Sequence, residues 1–281
     1  MPTPLLRRNK HSNKYDFGHA LVLAGSRNML GASALTGLAA MRIGAGLVTV
    51  GVPKSLNGIL QKKLSNVIMT LSLPETKGQG LSYLAFKTIK KICSKYDALA
   101  IGPGLTVNPE TKKLVLRIIR DIALPMVIDA DALNALAKNP KMLLKNTFPK
   151  ILTPHLWEMQ RLTGLKKDFI EKNRLRVAKG FAEKYNCVLL LKGNRTIVCS
   201  REGSYINQTG NCGMATAGAG DVLTGIITGL LAQGINAFEA AKFGSFIHGL
   251  AGDLAAKEKT KPVLIASDII DYLPKAIKAC N

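Results

Sequence analysis

Acidic residues are scarce in this chain: 18 Asp and Glu stand against 39 Lys and Arg, a formal charge of +21 over 281 residues. An excess that basic has three ready sources: nucleic-acid binding, a generally basic cell interior, or attraction of polyanionic nucleotides. Aromatic residues are also few, at 5%. The basic pairs Lys62-Lys63, Lys90-Lys91, Lys112-Lys113 and Lys166-Lys167 are scattered, with no aromatic strip between them, so the stacking surface of a base-reading protein is missing. No specific nucleic-acid partner is expected. The 5 cysteines, at 93, 187, 199, 212 and 280, are odd in number and form no Cys-x-x-Cys pair, which excludes a disulfide frame or a zinc site and fits reduced thiols in a cytoplasmic protein. With no two of the 4 histidines at ligand spacing around His155, no resident metal site is expected. Residues 1–14 form a basic, polar arm without the apolar core of a signal peptide, so no export is expected. The most apolar run, 222–238, is interrupted by Thr224, Gly225, Thr228, Gly229, Gln233 and Gly234 and is short for a bilayer. It reads as a buried helix rather than a membrane span.

Short β-branched runs alternate with helical patterns over most of the length, which predicts an α/β protein with helices on both faces of a mostly parallel sheet. Strands are predicted at 20–24, 47–52, 67–71, 98–101, 126–129, 151–153, 188–191, 196–199 and 204–208. Helices are predicted at 32–43, 82–95, 109–121, 132–137, 156–163, 172–184, 221–232, 237–256 and 267–278. The strands flanking Lys192-Gly193-Asn194-Arg195 stand too close for a crossover helix and should pair as a hairpin. The linker candidates, 138–148 and 257–261, are short, so residues 1–281 read as one domain with the 1–14 arm attached.

The most informative stretch is Gly210-Asn211-Cys212-Gly213-Met214-Ala215-Thr216-Ala217-Gly218-Ala219-Gly220-Asp221-Val222-Leu223-Thr224-Gly225, a glycine-rich loop running into an apolar helix. Gly218 and Gly220 are expected to take positive φ and bring N–H groups close to an anion, at the positive end of the helix dipole. Asp221 would repel that anion, which points to work on a substrate or a metal rather than on phosphate; helix capping is the plainer reading. The stretch is not a Walker loop, since no Gly-Lys-Ser/Thr closes it. Nor is it a dinucleotide fingerprint, because Leu223 stands where the third glycine belongs.

The Gly-Ala-Gly-Asp segment resembles the signature of the ribokinase-like superfamily. Six further motifs extend the resemblance over nearly the whole chain. These are 18–26, 39–49, Gly102-Pro103-Gly104, Asp129-Ala130-Asp131-Ala132-Leu133-Asn134, Leu152-Thr153-Pro154-His155 and Lys192-Gly193-Asn194-Arg195-Thr196. Together they are similar to the ADP/ATP-dependent NAD(P)H-hydrate dehydratases. Ala219 departs from a position often held by Thr or Ser, and Cys212 from one often held by Pro; neither removes a proposed functional group.

The resemblance implies a ribokinase-like three-layer α/β/α sandwich and a repair enzyme that returns the 6-hydroxy hydrates NADHX and NADPHX to the reduced cofactors. ADP or ATP would be co-substrate, with Mg²⁺, and the assembly a homotetramer. It implies Asp221 as the base, kept ionised by nearby N–H dipoles, and Gly218, Ala219 and Gly220 as the anion hole. Lys192, Gly193, Asn194, Arg195, Thr196 and Gly220 would bind the nucleotide, and Ala40, Gly104, His155 and Asp221 the hydrate. Plainer readings stand beside these: a turn with a solvated lysine for Lys192-Gly193, and helix packing for Ala39-Ala40. Asp129 and Asp131 either help position Mg²⁺ through water or, for Asp131, cap a helix. Glu158 and Arg161 are expected as a surface pair, and His248 as a partly buried helix histidine. A small-molecule kinase of the same superfamily and a nucleic-acid-binding protein are the alternatives.

Overall fold

Strand β1 (His19–Leu23) sends Ala20 and Val22 to one side of the sheet and Leu21 and Leu23 to the other, and all four are fully buried. A strand buried on both faces belongs inside a parallel sheet. A computed structural model describes residues 8–64 and 66–280 and places β1 among nine strands. The others are β2 (Leu47–Pro53), β3 (Met69–Leu73), β4 (Ala98–Ile101), β5 (Met126–Ile128), β6 (Lys150–Leu152), β7 (Val188–Leu191), β8 (Ile197–Cys199) and β9 (Ser204–Ile206). The order across the sheet is β3-β2-β1-β4-β5-β6-β7-β8-β9; neighbours from β3 through to β7 pair parallel, while β7–β8 and β8–β9 pair antiparallel. The chain reverses direction across the sheet between β1 and β4. At such a switch point the loops leave a crevice beyond the strand ends.

The two faces differ in bulk. Ala20, Ala98, Ala100 and Val127 meet α1 (Leu30–Arg42), α2 (Asn57–Lys63), α9 (Ala219–Ala232), α10 (Ala237–Lys259) and α11 (Ala266–Lys278). On the other face Leu21, Leu99, Ile101 and Met126 meet α3 (Ala85–Ile92), α4 (Pro109–Asp121), α5 (Ala130–Leu136), α6 (Leu156–Thr163), α7 (Lys167–Lys172) and α8 (Arg174–Tyr185). Small strand residues on the first face let α9 lie close to the sheet. It lies close to α1 as well: a Cβ on Gly225 would stand 2.2 Å from the Thr36 carbonyl oxygen, and one on Gly229 2.7 Å from that of Ala40.

The expected three layers and mostly parallel sheet are present, and so is the hairpin, with Leu191 opposite Ile197. The apolar run at 222–238 is largely α9, buried along most of its length; no helix among the described residues is long and apolar enough to cross a membrane. Some boundaries differ. The strand expected at 67–71 is Met69–Leu73, because parallel pairing sets Met69 beside Thr49 and leaves Val67 62% exposed. The helix expected at 82–95 shortens to α3, and α2 and α7, with 7 and 6 residues, were not anticipated. Segments that short show barely two turns of apolar periodicity. Residues 1–7 of the expected arm lie outside the described residues; beyond them Arg8 donates to the Gly44 carbonyl and stacks on Phe17, and Asn13 caps the turn Lys14–Phe17.

The close α1–α9 contact gives a direct test. Ala favours a helix over Gly by about 1 kcal/mol, yet Gly225→Ala should lower stability in urea by about 1–3 kcal/mol, since the added methyl meets backbone that cannot move aside. An unchanged urea midpoint would show that the helices separate freely.

Candidate active site

Helix α9 begins where the glycine-rich loop turns. Gly218, its N-cap, has φ 88, and a Cβ there would stand 2.5 Å from Leu35, so only glycine fits. Gly220 is different: it is helical, contrary to the positive φ expected of it, and its missing side chain keeps space open. A Cβ on Gly220 would stand 3.4 Å from Lys192 Nζ. The start of α9 therefore borders the same space as the lysine ammonium, a combination suited to a phosphoryl group.

Lys192 is not the solvated lysine of a plain turn. Its Nζ donates to Asp129 Oδ1 at 2.8 Å and lies 3.9 Å from Glu158 Oε2, while Asp129 Oδ2 accepts from Thr224 Oγ1 at 2.7 Å. The ends of β5 and β7, the start of α6 and the first turns of α9 are thus joined by one buried charge network. Burial opposes the charge on Lys192, but Asp129, Glu158 and Asp221 outweigh it and raise its pKa. Each Asp129 oxygen thus takes one hydrogen bond and keeps a further lone pair. Asp131 does not cap α5 either: its Oδ2 accepts the Thr106 N–H at 2.9 Å. Among the described residues no group of three His, Cys, Asp or Glu side chains is arranged to hold a metal.

Asp221 sits in the first turn of α9, and its carboxylate has no hydrogen-bond partner among the described residues. The ionised state expected from helix dipoles is not what its surroundings favour. Burial first, then the charges of Asp129 and Asp131, push its pKa up to about 7 against the opposing pull of Lys192. Desolvation beside like charges outweighs the partial charges of the helix end. A carboxylate poised near neutrality is well matched to proton transfer.

His155 caps α6, its Nδ1 accepting from Trp157 N–H at 3.1 Å and Glu158 N–H at 3.3 Å. Burial, then Lys192, lowers its pKa, so the ring is neutral near pH 7 and its proton sits on Nε2, the nitrogen left for a ligand. Glu158 is no partner of Arg161 at the surface. It is 5% exposed, its Oε2 accepts the His155 N–H at 2.8 Å, and burial raises its pKa, while Arg161 donates to Asn134. The spacing His155-x-x-Glu158 is that of a reciprocal capping box, the signal from which this arrangement was legible.

A cavity of about 610 Å³ opens beside this network, within the range of small-molecule sites. Lys192, Gly193, Asn194, Arg195 and Thr196 line one wall, and Ala219, Gly220 and Leu223 line the end of α9. Arg174 braces the hairpin through the Asn194 and Leu191 carbonyls. In the opposite wall, 207–215, residues 210–215 belong to the glycine-rich stretch singled out in the sequence, whereas 207–209 went unrecognised. The wall is fastened to α10: Asn207 donates to the Ser245 carbonyl, Thr209 to that of Phe246, and Asp253 accepts from Gly210 N–H and Asn211 Nδ2. His248 also lines the cavity, and its Nε2 donates to the Ala219 carbonyl at 2.9 Å; burial pulls its pKa down to about 4.

Ala40 and Gly104 lie apart from this cavity. Ala40 is fully buried where α1 meets Gly229, so its small size serves helix packing. Gly104, at φ 62, belongs to the loop after β4; a Cβ there would stand 2.8 Å from the Met29 carbonyl oxygen. That loop meets the one after β1 at the switch point, where Gly25 N–H donates to the Pro103 carbonyl at 2.8 Å.

The sheet order and the glycine-built helix start define a ribokinase-like α/β protein. Ribokinase of Thermotoga maritima has the same fold, with a TM-score of 0.56 at 17% identity over 92% of this chain and 99% of that one. The chain belongs to the NAD(P)H-hydrate dehydratase family, whose model matches residues 20–275. It is 45% identical over 275 residues to the bifunctional NAD(P)H-hydrate repair enzyme Nnr of Moorella thermoacetica, covering 98% of this chain and 52% of that protein. The chain thus spans about half the length of such bifunctional relatives. The ADP/ATP-dependent NAD(P)H-hydrate dehydratase of Bacillus subtilis, co-crystallised with ATP and Mg²⁺, has a TM-score of 0.81 and 31% identity, covering 98% of this chain and 94% of that one.

Gly220→Val tests the cradle. A branched side chain would occupy the space before Lys192 Nζ, so ADP and ATP affinity measured by calorimetry should fall by about tenfold or more while the far-UV spectrum stays unchanged. Unaltered affinity in the folded variant would move the phosphate site elsewhere.

Proposed function

We propose that this chain dehydrates the (6S)-hydrate of NADH or NADPH at the expense of a nucleotide, with ADP the donor and ATP the alternative. The observation that carries the reading is Asp221, a half-buried carboxylate without a hydrogen-bond partner among the described residues, in the first turn of a helix whose start borders a nucleotide-sized cavity. Hydroxide is a poor leaving group, which is why a lyase benefits from a phosphoryl donor. Asp221 takes the proton of the ring hydroxyl as that oxygen bonds to the terminal phosphorus and the bond to the nucleotide breaks, releasing AMP from ADP. Phosphate then leaves the ring carbon, expelled by the lone pair of the adjacent ring nitrogen. Loss of a proton from the neighbouring carbon restores the double bond. The balance is hydrate plus ADP giving reduced cofactor, AMP and phosphate.

The chain's residues have separable tasks. The N–H groups of Gly218, Ala219 and Gly220 receive the phosphoryl oxygens, and the 192–196 hairpin holds the nucleotide. His155, through Nε2, and the Gly104 loop at the switch point hold the hydrate. Ala40, fully buried against Gly229, supports the α1–α9 packing and is not placed at the hydrate. A Mg²⁺ carried in on the phosphates would find Glu158 Oε1, which has no contact closer than the 3.5 Å to His155 Nε2, with Asp129 and Asp131 as partners for its waters. Such an ion supplies charge neutralisation at the phosphoryl oxygens. A cytoplasmic tetramer built from single-domain copies completes the proposal.

The test follows absorbance of the reduced nicotinamide and inorganic phosphate in parallel, with hydrate, Mg²⁺ and ADP or ATP. The two products should appear one for one, and Asp221→Asn should lower the rate by roughly 10²–10⁴-fold while leaving ADP affinity within a few-fold. Nucleotide consumption with a lasting phosphorylated alcohol on a vitamin-precursor substrate, and no recovery of NADH, would assign the chain to the small-molecule kinases instead.

A further inference from the structure

Between the two aspartates of Asp129-Ala130-Asp131 the backbone is strained. Ala130 has φ 48, a left-handed conformation that residues with a Cβ adopt rarely and at a cost. The turn sends the flanking carboxylates to different halves of the site. Asp129 points to Lys192 and Thr224, at the nucleotide cavity. Asp131 points to the loop after β4, taking the Thr106 N–H at 2.9 Å on Oδ2, with Asn134 Nδ2 at 3.4 Å from Oδ1.

That loop needs holding. Gly102, Gly104 and Thr106 all have positive φ, at 132, 62 and 68, and Thr106 lacks a glycine's freedom. The near end of the loop is fastened by Gly102 N–H to the Leu23 carbonyl and by the Pro103 carbonyl to Gly25 N–H. Asp131 fastens the far end. The loop lies beside the crevice at the β1–β4 switch point, while the hairpin and 207–215 enclose the nucleotide cavity. Asp221 stands beside Gly220, whose Cβ would lie 4.0 Å from Asp129 Oδ2, and one turn before Thr224, the partner of Asp129, so the proposed base sits at the strand end the two aspartates share.

We propose that Asp131 is a positioning residue for the hydrate, holding loop 102–106 in the shape that receives the substrate, and that left-handed Ala130 lets one strand end serve both substrates. The identity of the substrate rests on the dehydratase reading; the pinning of the loop does not.

The experiment compares Asp131→Ala and Asp131→Asn with the wild type, varying hydrate at saturating ADP and then ADP at saturating hydrate. Amide hydrogen exchange at Thr106 is measured alongside. Asp131→Ala should raise the KM for hydrate by about tenfold or more, keep the KM for ADP within about twofold, and speed exchange at Thr106. Asp131→Asn retains an acceptor oxygen and should restore most of the hydrate KM; it also serves if the alanine variant does not fold. Equal rises in both KM values, an unchanged hydrate KM, or unaltered Thr106 exchange would overturn the proposal. A wild type with no turnover of hydrate would refute the dehydratase reading alone, and Thr106 exchange with ADP calorimetry would still decide whether Asp131 pins the loop without touching the nucleotide half.

Discussion

One buried ion pair, Lys192 with Asp129, organises the site. Its charges sit 2.8 Å apart at the ends of β7 and β5, the lysine side chain 20% exposed and the aspartate 2%. Charges so far from water stay ionised only if each has partners, and removing one member of such a pair typically costs about 3–5 kcal/mol because the other is left stranded. Here Thr224 satisfies the second oxygen of Asp129, and Glu158 adds a second carboxylate beside the ammonium. The pair therefore locks the hairpin to α9, fills the space that Gly220 leaves open with positive charge, and moderates the proton affinity of Asp221. On top of burial, the larger effect, Asp129 raises that affinity and Lys192 lowers it, so one contact bears on both the proposed phosphate site and the proposed base.

The rest of the fold brings this pair to a helix end. Alanines on one face of β1 and β4, with Gly225 and Gly229 against α1, let α9 lie close enough for its first turn to reach the strand ends. Helix α10 supplies the complementary support, through Ser245 and Asp253 to the outer wall of the cavity and through His248 to the Ala219 carbonyl. The cavity proposed for the nucleotide is thus backed by helices, although most of its lining comes from loops. Such backing keeps a site in shape before its ligand arrives.

The layered sheet and the hairpin were legible because each leaves a local trace: short β-branched runs alternating with helical patterns, and a gap too short for a crossover. Gly218 could be read as a positive-φ position from its place before the helix, whereas Gly220 has the same identity and a helical backbone. What escaped depends on contacts far apart in sequence. No local pattern pairs Thr224 with Asp129 or Asp253 with Gly210, and the burial of Glu158 follows from how α6 docks rather than from its neighbours. The proton affinity of Asp221 escaped for the same reason. The helix dipole is visible in sequence and favours the anion, but desolvation and two distant aspartates are not, and they are the larger effect.

The central claim is that Asp221 is a base whose proton affinity the surrounding charges bring close to neutrality. Only its deprotonated form can accept the hydroxyl proton, so activity must rise with pH as the carboxyl ionises. The pH dependence of kcat/KM for the hydrate, which reports groups of the free enzyme, is the most direct measurement. The account predicts an ascending limb with its midpoint at about 7. A profile that stays flat from about pH 5 upward, as expected for a carboxylate of ordinary acidity, would contradict it.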